Sequence, residues 1–404
     1  MTYRLDGSCA GAPDSTRDSR PLTLVTGFWP PRNEVIRKTD VYVRLFDELL
    51  RHINGALPLA VLADPRVSAR LRLVIERAIN EGYAQESNVI LRELPFEELH
   101  FAHGRERFDE LEPCANSFGQ QTTIDYAIVM WSKPALVAAI AEEDPFESTH
   151  FGWIDLGIAH VAELRDVDWA AIAREACSTD RVRICERYAS TAAEAEDPYY
   201  FYSTNSSRNC GGFFTGTEKA ISELAEMFDV EVARMTDTGS YVVDEQILAA
   251  ASALHPSRFD KWYGDYFGLL RNACYIERDV SLVLTNLHHC REEELWNDGV
   301  AITEKLLASA KDRRLRLEPE ECLKLLDDGL ACAIENDREL ALSLARTIVS
   351  LYHHSRLGRG MMKGMWRKSI RENLLRLELD FKDRPWTWEE FTARPDLHTW
   401  LSCF

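Results

Sequence analysis

The chain has 404 residues, 46% of them hydrophobic and 28% charged, which is the composition of an ordinary globular protein with its own core. The formal net charge of −19 argues against a general affinity for nucleic acid or for an anionic membrane. The longest apolar runs, such as residues 135–141, are far shorter than the roughly 20 residues that span a bilayer, so we expect no transmembrane segment.

The N-terminal part of the chain alternates between two kinds of pattern. Residues 1–20 mix Asp, Arg, Ser and Gly and are predicted to be a disordered leader. Short β-branched runs then predict strands at residues 22–26, 57–63, 88–92, 151–155, 182–185 and 209–214. Apolar residues at helical spacing predict helices at residues 41–53, 67–79, 124–140, 217–228 and 244–253, the third with a break near Pro134. This alternation predicts an α/β domain over residues 21–285, with a mostly parallel sheet covered by helices on both faces.

Residues 286–404 are predicted to be all-helical. Apolar stripes predict helices over 295–308, 319–334 and 339–352, and a short link joins the last two in an antiparallel hairpin. A segment rich in Lys, Arg, Met and Trp, without any acid, covers residues 353–371. It is interpreted either as a peripheral membrane contact that docks an anionic acceptor, or as a solvated helix that pairs with the protein's own acidic surface.

The ten cysteines are scattered, and none forms a C-x-x-C pair. Their spacing therefore predicts neither a zinc site nor a disulfide framework. We expect reduced thiols, as in a cytoplasmic protein.

Four short segments at predicted strand ends or in adjoining loops are candidates for chemistry. The first follows the strand predicted over 22–26. At Thr26 and Gly27 the backbone can approach a ligand closely. The ring of Phe28 can stack on a base, and the guanidinium of Arg32 can pair with phosphate. The second offers Lys133 as a cation that neutralises phosphate. Each also has an ordinary interpretation, a strand-to-loop turn for the first and a solvated surface lysine for the second.

The other two segments carry carboxylates. Asp155 ends a predicted strand, where it would hold a divalent cation that clamps a diphosphate, or would serve only as a helix cap or a salt-bridge partner. Gly211 and Gly212 belong to a glycine-rich stretch that is interpreted as a backbone-exposing loop. Asp244 and Glu245 open a predicted helix, as acids that take a proton from an attacking hydroxyl or orient the acceptor, with N-capping as the alternative for Asp244.

In chain order, the candidate segments have the sequence T-x-V-T-G-F-W, M-W-S-K-P, W-I-D-x-G, G-G-F-F-x-G and D-E-Q, followed by Y-G-D-Y. This ordered combination resembles the bacterial HtrL/YibB proteins over residues 22–275, a family similar to nucleotide-sugar glycosyltransferases of the GT-A fold. The resemblance implies a GT-A-like, Rossmann-like sheet. It also implies a glycosyltransferase that moves a sugar from a nucleotide-sugar donor to a hydroxyl acceptor, whether a glycan, a lipid-linked molecule or a small molecule.

The resemblance further implies roles for the candidate residues. Asp244 or Glu245 would be the base or the acceptor-orienting acid, and Asp155 would hold a divalent cation, Mn or Mg. The usual acidic motif is D-x-D, and Gly157 stands where the second carboxylate is usual, so the sequence leaves metal dependence open. The nucleotide, phosphate and sugar cleft would be lined by Thr26, Gly27, Phe28, Arg32, Lys133, Gly211 and Gly212.

Three functional interpretations follow from this pattern. The first is a glycosyltransferase, for which the sugar, the acceptor and the stereochemical course are not predicted. The second is a catalytically inactive GT-A-like protein that binds a glycan or a protein, which the missing second acid and the helical extension favour. The third, a nucleotidyltransferase, requires clustered carboxylates for two metal ions, and the sequence does not supply them.

Overall fold

The computed structural model describes residues 20–30, 38–114, 123–203, 207–312, 314–354 and 365–377. Residues 1–19 of the predicted leader and the candidate residue Arg32 lie outside these ranges, whereas Arg20, the last residue of the predicted leader, begins the first strand. The chain divides into two compact units, which are the described parts of residues 1–185 with 192–261 and of residues 186–191 with 262–404.

The strands and helices up to residue 263 alternate along the chain as the patterns predict. Each strand and helix predicted between residues 22 and 253 is present within about three residues of its expected bounds, except that the helix predicted over 217–228 continues to Thr236. The strands are β1 (Arg20–Phe28), β2 (Leu59–Ala63), β3 (Val89–Glu93), β4 (Glu112–Pro113), β5 (Ser148–Ile154), β6 (Val182–Glu186), β7 (Asn209–Thr217), β8 (Ser240–Tyr241) and β9 (Phe259–Tyr263). The helices are α1 (Thr39–Ile53), α2 (Pro65–Asn80), α3 (Ile124–Glu143), α4 (Trp169–Ala176), α5 (Ala192–Glu196), α6 (Pro198–Phe201), α7 (Glu218–Thr236) and α8 (Asp244–Leu254).

The main sheet has seven strands in the order β3-β2-β1-β5-β7-β6-β9, while β4 and β8 pair separately. β1 pairs in parallel with β2 on one side and with β5 on the other, β2 pairs in parallel with β3, and β7 runs antiparallel to β5. The α/β class, with a mostly parallel sheet flanked by helices, is therefore confirmed.

The order of the strands creates one special place at the sheet edge. The chain passes from β1 outward to β3 on one side and then places β5 on the other side of β1. The carboxyl ends of β1 and β5 therefore flank a topological switch point, where open α/β sheets leave a crevice for ligands. Because β7 is antiparallel, its first residues lie at the same edge, with Phe213 opposite Ile154.

Helix α3 is the main buried helix of the first unit. It continues through Pro134, so the predicted break there is wrong. Proline removes one helical hydrogen bond at a cost of about 3 kcal/mol, but burial of the helix on both sides of it outweighs this cost. Trp131 is fully buried, and its indole Nε1 donates to the carbonyl of Val242 at 2.8 Å.

By length and composition, α3 is the one helix among the described residues that is apolar enough to cross a membrane. It is 61% buried inside the protein over its most apolar window, which is the behaviour of a core helix. This finding is consistent with the expectation of no transmembrane segment.

The second unit is helical, as predicted for the C-terminal region. Its core is built from Leu, Ile and Val side chains, including Leu287, Leu326 and Ile348. Asp337 is the single residue between two helices that pack against each other, α11 (Pro319–Asn336) and α12 (Arg338–His354). The helices are α9 (Val280–Glu292), α10 (Trp296–Lys311), α11 (Pro319–Asn336), α12 (Arg338–His354) and α13 (Met365–Arg376).

Most of the basic segment over residues 353–371 lies outside the side chains that the structure describes. On α13, Lys368 and Arg371 are exposed and Ile370 is buried. These positions fit a helix with one solvated basic face, and the predicted membrane contact stays a prediction.

Gly152 on β5 provides a test of the β5–β7 contact. A Cβ atom at Gly152 would lie 2.5 Å from the backbone oxygen of Phe214, which cannot move away as a side chain would. We expect Gly152→Ala to lower the free energy of unfolding by about 1–3 kcal/mol in urea denaturation. Gly216→Ala is the matched control on β7, because its nearest contacts are side-chain carbons at 3.3 and 3.4 Å. The close approach is refuted if both variants unfold alike.

Candidate functional site

Asp155 lies at the carboxyl end of β5, beside the switch point. Its backbone N–H donates to the carbonyl of Gly212 at 2.9 Å, and its own carbonyl accepts from the N–H of Ile158 at 2.9 Å. The chain therefore pairs with β7 up to Asp155 and then turns away. The Asp155 side chain is 32% exposed, so one side of the carboxylate remains open to solvent.

Lys133 is the centre of the cluster. It comes from the middle of α3, not from a loop, and its side chain is only 2% exposed, so the surface-lysine interpretation is wrong. The ammonium Nζ lies 2.9 Å from Oδ1 of Asp155 and 2.7 Å from Oδ2 of Asp244. It also donates to the carbonyl of Gly211 at 3.1 Å and lies 5.7 Å from the centre of the Trp153 ring.

Asp244 begins α8, and its side chain is only 7% exposed. Gly211 makes room for it, because a Cβ atom at Gly211 would lie 2.3 Å from Oδ2 of Asp244. Val243, not Asp244, occupies the N-cap position of α8, so capping does not explain Asp244. We refer to Lys133, Asp155 and Asp244 as the ionic cluster.

The electrostatics of the ionic cluster stabilise the charged form of Lys133 but not that of Asp244. Burial would lower the pKa of Lys133, but the charges of Asp155 and Asp244 outweigh it and raise this pKa above its usual range. Burial raises the pKa of Asp244, and the attraction of Lys133 does not fully offset burial and the repulsion of Asp155. The asymmetry arises because one cation gains from two anions, whereas each anion gains from one cation and is repelled by the other anion.

Trp153 holds the carboxylate of Asp155 from within the same strand. Its indole Nε1 donates to Oδ1 of Asp155 at 2.6 Å. Side chains two residues apart on a strand point to the same face of the sheet. The spacing of Trp153 and Asp155 therefore allows this hydrogen bond. The contact was not predicted, because in the sequence Trp153 is only one apolar residue of the run over 151–155.

The glycine-rich stretch that contains Gly211 and Gly212 is not a loop. It forms the buried strand β7, as the strand pattern over residues 209–214 predicts, so the interpretation as a backbone-exposing loop is wrong, although both glycines lie at the predicted edge of the sheet. Their missing side chains leave space for protein groups, as the contact of Gly211 with Asp244 shows. Glu245 is half-buried next to Asp244, and its Oε2 atom is buried.

The segment after β1 packs against the protein rather than forming an open nucleotide loop. A Cβ atom at Gly27 would lie 2.5 Å from the ring of Trp29, so this glycine accommodates a buried tryptophan. The ring of Phe28 is stacked on that of Tyr42, with 5.0 Å between the ring centres. Thr26 is fully buried, and within the described residues its Oγ1 has no hydrogen-bond partner.

Gly157, where the sequence lacks the second carboxylate of the usual acidic motif, faces the Tyr42 ring. A Cβ atom there would lie 2.7 Å from Cε1 of Tyr42. A larger residue at this position would therefore displace the stacked pair of Tyr42 and Phe28. The close packing of Tyr42 against Gly157 therefore explains why no carboxylate stands at this position.

The cluster does not fit a divalent cation well. Oδ1 of Asp155 already accepts from Lys133 and Trp153, and the ammonium lies between the two carboxylates that would otherwise be ligands. Over the ranges that the structure describes, no group of three or more His, Cys, Asp or Glu side chains could hold a metal ion. The role of Asp155 as a metal ligand stays a prediction that this geometry does not favour.

Part of the chain matches a known protein family. Residues 99–275 match a family model described as "Bacterial protein of unknown function (HtrL_YibB)". This part of the chain is similar to that family, which agrees with the resemblance found from the motifs. It includes the whole ionic cluster but not the segment around Thr26. No curated protein matches the chain.

Removing the ammonium tests whether it stabilises the cluster. Lys133→Met keeps most of the side-chain volume but leaves two carboxylates close together in the core. We expect the free energy of unfolding at about pH 7 to fall by about 3–5 kcal/mol in urea denaturation. The double variant Lys133→Met/Asp244→Asn removes the repulsion and should recover a large part of this loss.

The pH dependence of Lys133→Met supplies an independent check. Without the ammonium, the already raised pKa of Asp244 rises further. A carboxyl group whose pKa is higher in the folded state stabilises the fold most at low pH and loses this contribution as pH rises through the folded pKa. The deficit of the variant should therefore shrink between about pH 7 and pH 5. A deficit that does not change with pH would contradict charge repulsion as its cause.

Proposed function

We propose that the first unit is a glycosyltransferase domain that moves a sugar from a nucleotide-sugar donor to a hydroxyl acceptor. The observation that carries the proposal is the partly exposed carboxylate of Asp155, fixed at the switch point of a mostly parallel sheet. Ligands of open α/β sheets bind at this place, and a fixed carboxylate there is suited to bind hydroxyl groups. The GT-A-like fold implied by the family resemblance supports the same class of reaction.

The net charge of the cluster indicates which part of the donor lies beside it. Two carboxylates and one ammonium give a formal charge of −1, so the cluster does not attract a diphosphate. It suits sugar hydroxyls, which donate to Asp155, and it stabilises the positive charge that develops on the sugar as the bond to the diphosphate breaks. We therefore assign the sugar, and not the phosphates, to the side of Asp155.

The phosphate role expected of Lys133 is not favoured, because its ammonium is committed to protein oxygens. Arg32, outside the described residues, remains the proposed phosphate partner from the sequence. Backbone N–H groups at the switch point would share this role.

The two acids at the start of α8 divide the remaining roles. Asp244 is buried against Lys133 and Gly211, so we assign it as a positioning residue. Glu245 is only half-buried, and we propose that it takes the proton from the acceptor hydroxyl in an inverting reaction. In a retaining reaction Glu245 would instead orient the acceptor.

We also propose that the protein acts in the cytoplasm. The eight cysteines within the described ranges carry free thiols, which fits a reducing compartment.

A second candidate function is a binding module that keeps the fold without catalysis. The observation that favours it is the burial of Asp244, since an acid in that position cannot reach an acceptor hydroxyl. Such a module would bind sugars through Asp155 but would not require a nucleotide.

A panel of nucleotide-sugar donors tests the enzyme proposal by thermal shift, in the presence of Mn²⁺, Mg²⁺ or a chelator. At a donor concentration of about 100 times Kd, binding adds about 2.7 kcal/mol to stability, which is a measurable rise in Tm. We expect at least one donor to raise Tm and Asp155→Asn to lose this rise. Asp180→Asn is the matched control, because Asp180 is exposed and its carbonyl contacts Thr217, at the opposite end of β7 from Gly211.

The outcomes of the panel separate the two candidates. Donor binding that depends on Asp155, followed by product formation with an acceptor, supports the transferase. Binding of oligosaccharides in the absence of any donor effect supports the binding module. If no donor changes Tm under any metal condition, the transferase proposal fails.

A further inference from the structure

The ammonium of Lys133 occupies the position that a bridging cation would take. It lies within hydrogen-bond distance of both carboxylates, at 2.9 Å from Asp155 and 2.7 Å from Asp244. Mg²⁺ sits about 2.0–2.1 Å from its oxygen ligands, so a metal between these two carboxylates would overlap the ammonium. The ammonium of Lys133 and a metal ion therefore cannot both lie between Asp155 and Asp244.

The alternative ligands for a metal are also in use. Oδ1 of Asp155 accepts hydrogen bonds from both Lys133 and Trp153, at 2.9 and 2.6 Å. The carbonyl of Gly211 accepts from the same ammonium. A divalent ion would have to displace a fully buried lysine from three oxygens, and that lysine would be left without a counter-charge, at a cost of several kcal/mol.

Position 157 has no room for the second carboxylate of the usual acidic motif. Tyr42 lies against Gly157, and its ring is in turn stacked on Phe28. The packing on this side of Asp155 is thus built around the absence of a side chain. One side of the Asp155 carboxylate contacts the ammonium of Lys133, and its solvent-exposed side is left for a ligand.

We propose that Lys133 is a permanent cation of this site, in place of a divalent metal ion, and that the site binds its ligand without metal. Lys133 acts through Asp155, which it orients, and is therefore a positioning residue. The inference rests on the proposed function for the nature of the ligand, but the exclusion of metal does not depend on which ligand binds.

Titration with Mn²⁺ alone tests the exclusion in the full-length chain, with binding measured by calorimetry and by the EPR signal of free Mn²⁺. We expect the wild-type protein to show no saturable binding that depends on Asp155 up to about 1 mM, the range of weak oxygen-ligand sites. Lys133→Ala removes the ammonium and leaves two carboxylates facing a space of ionic size. We expect it to bind Mn²⁺ at least about tenfold more tightly than the wild type.

Two further variants serve as controls. Lys133→Ala/Asp244→Asn should lose the gained Mn²⁺ binding, because only one carboxylate remains. Asp180→Asn should behave as the wild type. Lys133→Ala is expected to be less stable whatever the role of the lysine, so the readout is the gain of Mn²⁺ binding and not the loss of stability.

The proposal is overturned if the wild type binds Mn²⁺ and Asp155→Asn abolishes that binding, or if folded Lys133→Ala gains no binding. If Lys133→Ala does not fold, the wild-type titration and its comparison with Asp155→Asn decide the question. Failure of the donor panel, with the Mn²⁺ results as expected, would remove the transferase proposal and leave this inference intact. Any donor found should stabilise the wild type equally with Mn²⁺ and with a chelator, and a requirement for Mn²⁺ would overturn the inference.

Discussion

The ion pairs of Lys133 join three elements that are far apart in the sequence. α3 supplies the ammonium, while the end of β5 and the start of α8 each supply a carboxylate. A buried ammonium is tolerated only where anions surround it, and buried carboxylates are tolerated only beside a cation. Each carboxylate therefore depends on the ammonium, and the ammonium depends on both carboxylates.

This arrangement explains why the surroundings of the cluster are apolar and closely packed. Trp153 covers one side of the ammonium and also donates to Asp155, while Gly211 on β7 brings the backbone close to Asp244. In such a low-dielectric environment, charge interactions are stronger than in water. The same environment makes a change in the charge of Lys133 or Asp244 costly, because both side chains are almost completely shielded from solvent.

Much of the fold could be predicted from the sequence, because strand and helix patterns are local. The alternation of β-branched runs and amphipathic segments located the sheet strands up to β7, and the apolar run before Asp155 placed this residue at a strand end. The rule that parallel strands present ligand groups at their carboxyl ends then led directly to the site. Weakly amphipathic elements such as α9 were missed, since Asn286 and two histidines interrupt its apolar stripe.

The rest could not be predicted, because it depends on contacts between distant segments. A lysine in an apolar helix gives no local sign of whether it reaches solvent or a buried carboxylate. The glycines at positions 27 and 211 were interpreted as space for a ligand, and Gly157 as the place of a missing carboxylate, but the structure fills these places with Trp29, Asp244 and Tyr42. A glycine in the sequence indicates a close approach, and only the tertiary structure shows what approaches.

The alternation of side chains along β5 has a consequence for how this region can vary. Trp153 and Asp155 lie on one face of the strand, while Gly152 and Ile154 lie on the other. A single-residue insertion or deletion before Asp155 would turn the carboxylate to the opposite face, away from α3 and its ammonium. The length of β5 is therefore constrained as tightly as the identity of Gly152 and Trp153. Exchange of Ile154 for Val or Leu would leave the carboxylate on its face of the sheet, whereas a change in residue count would not.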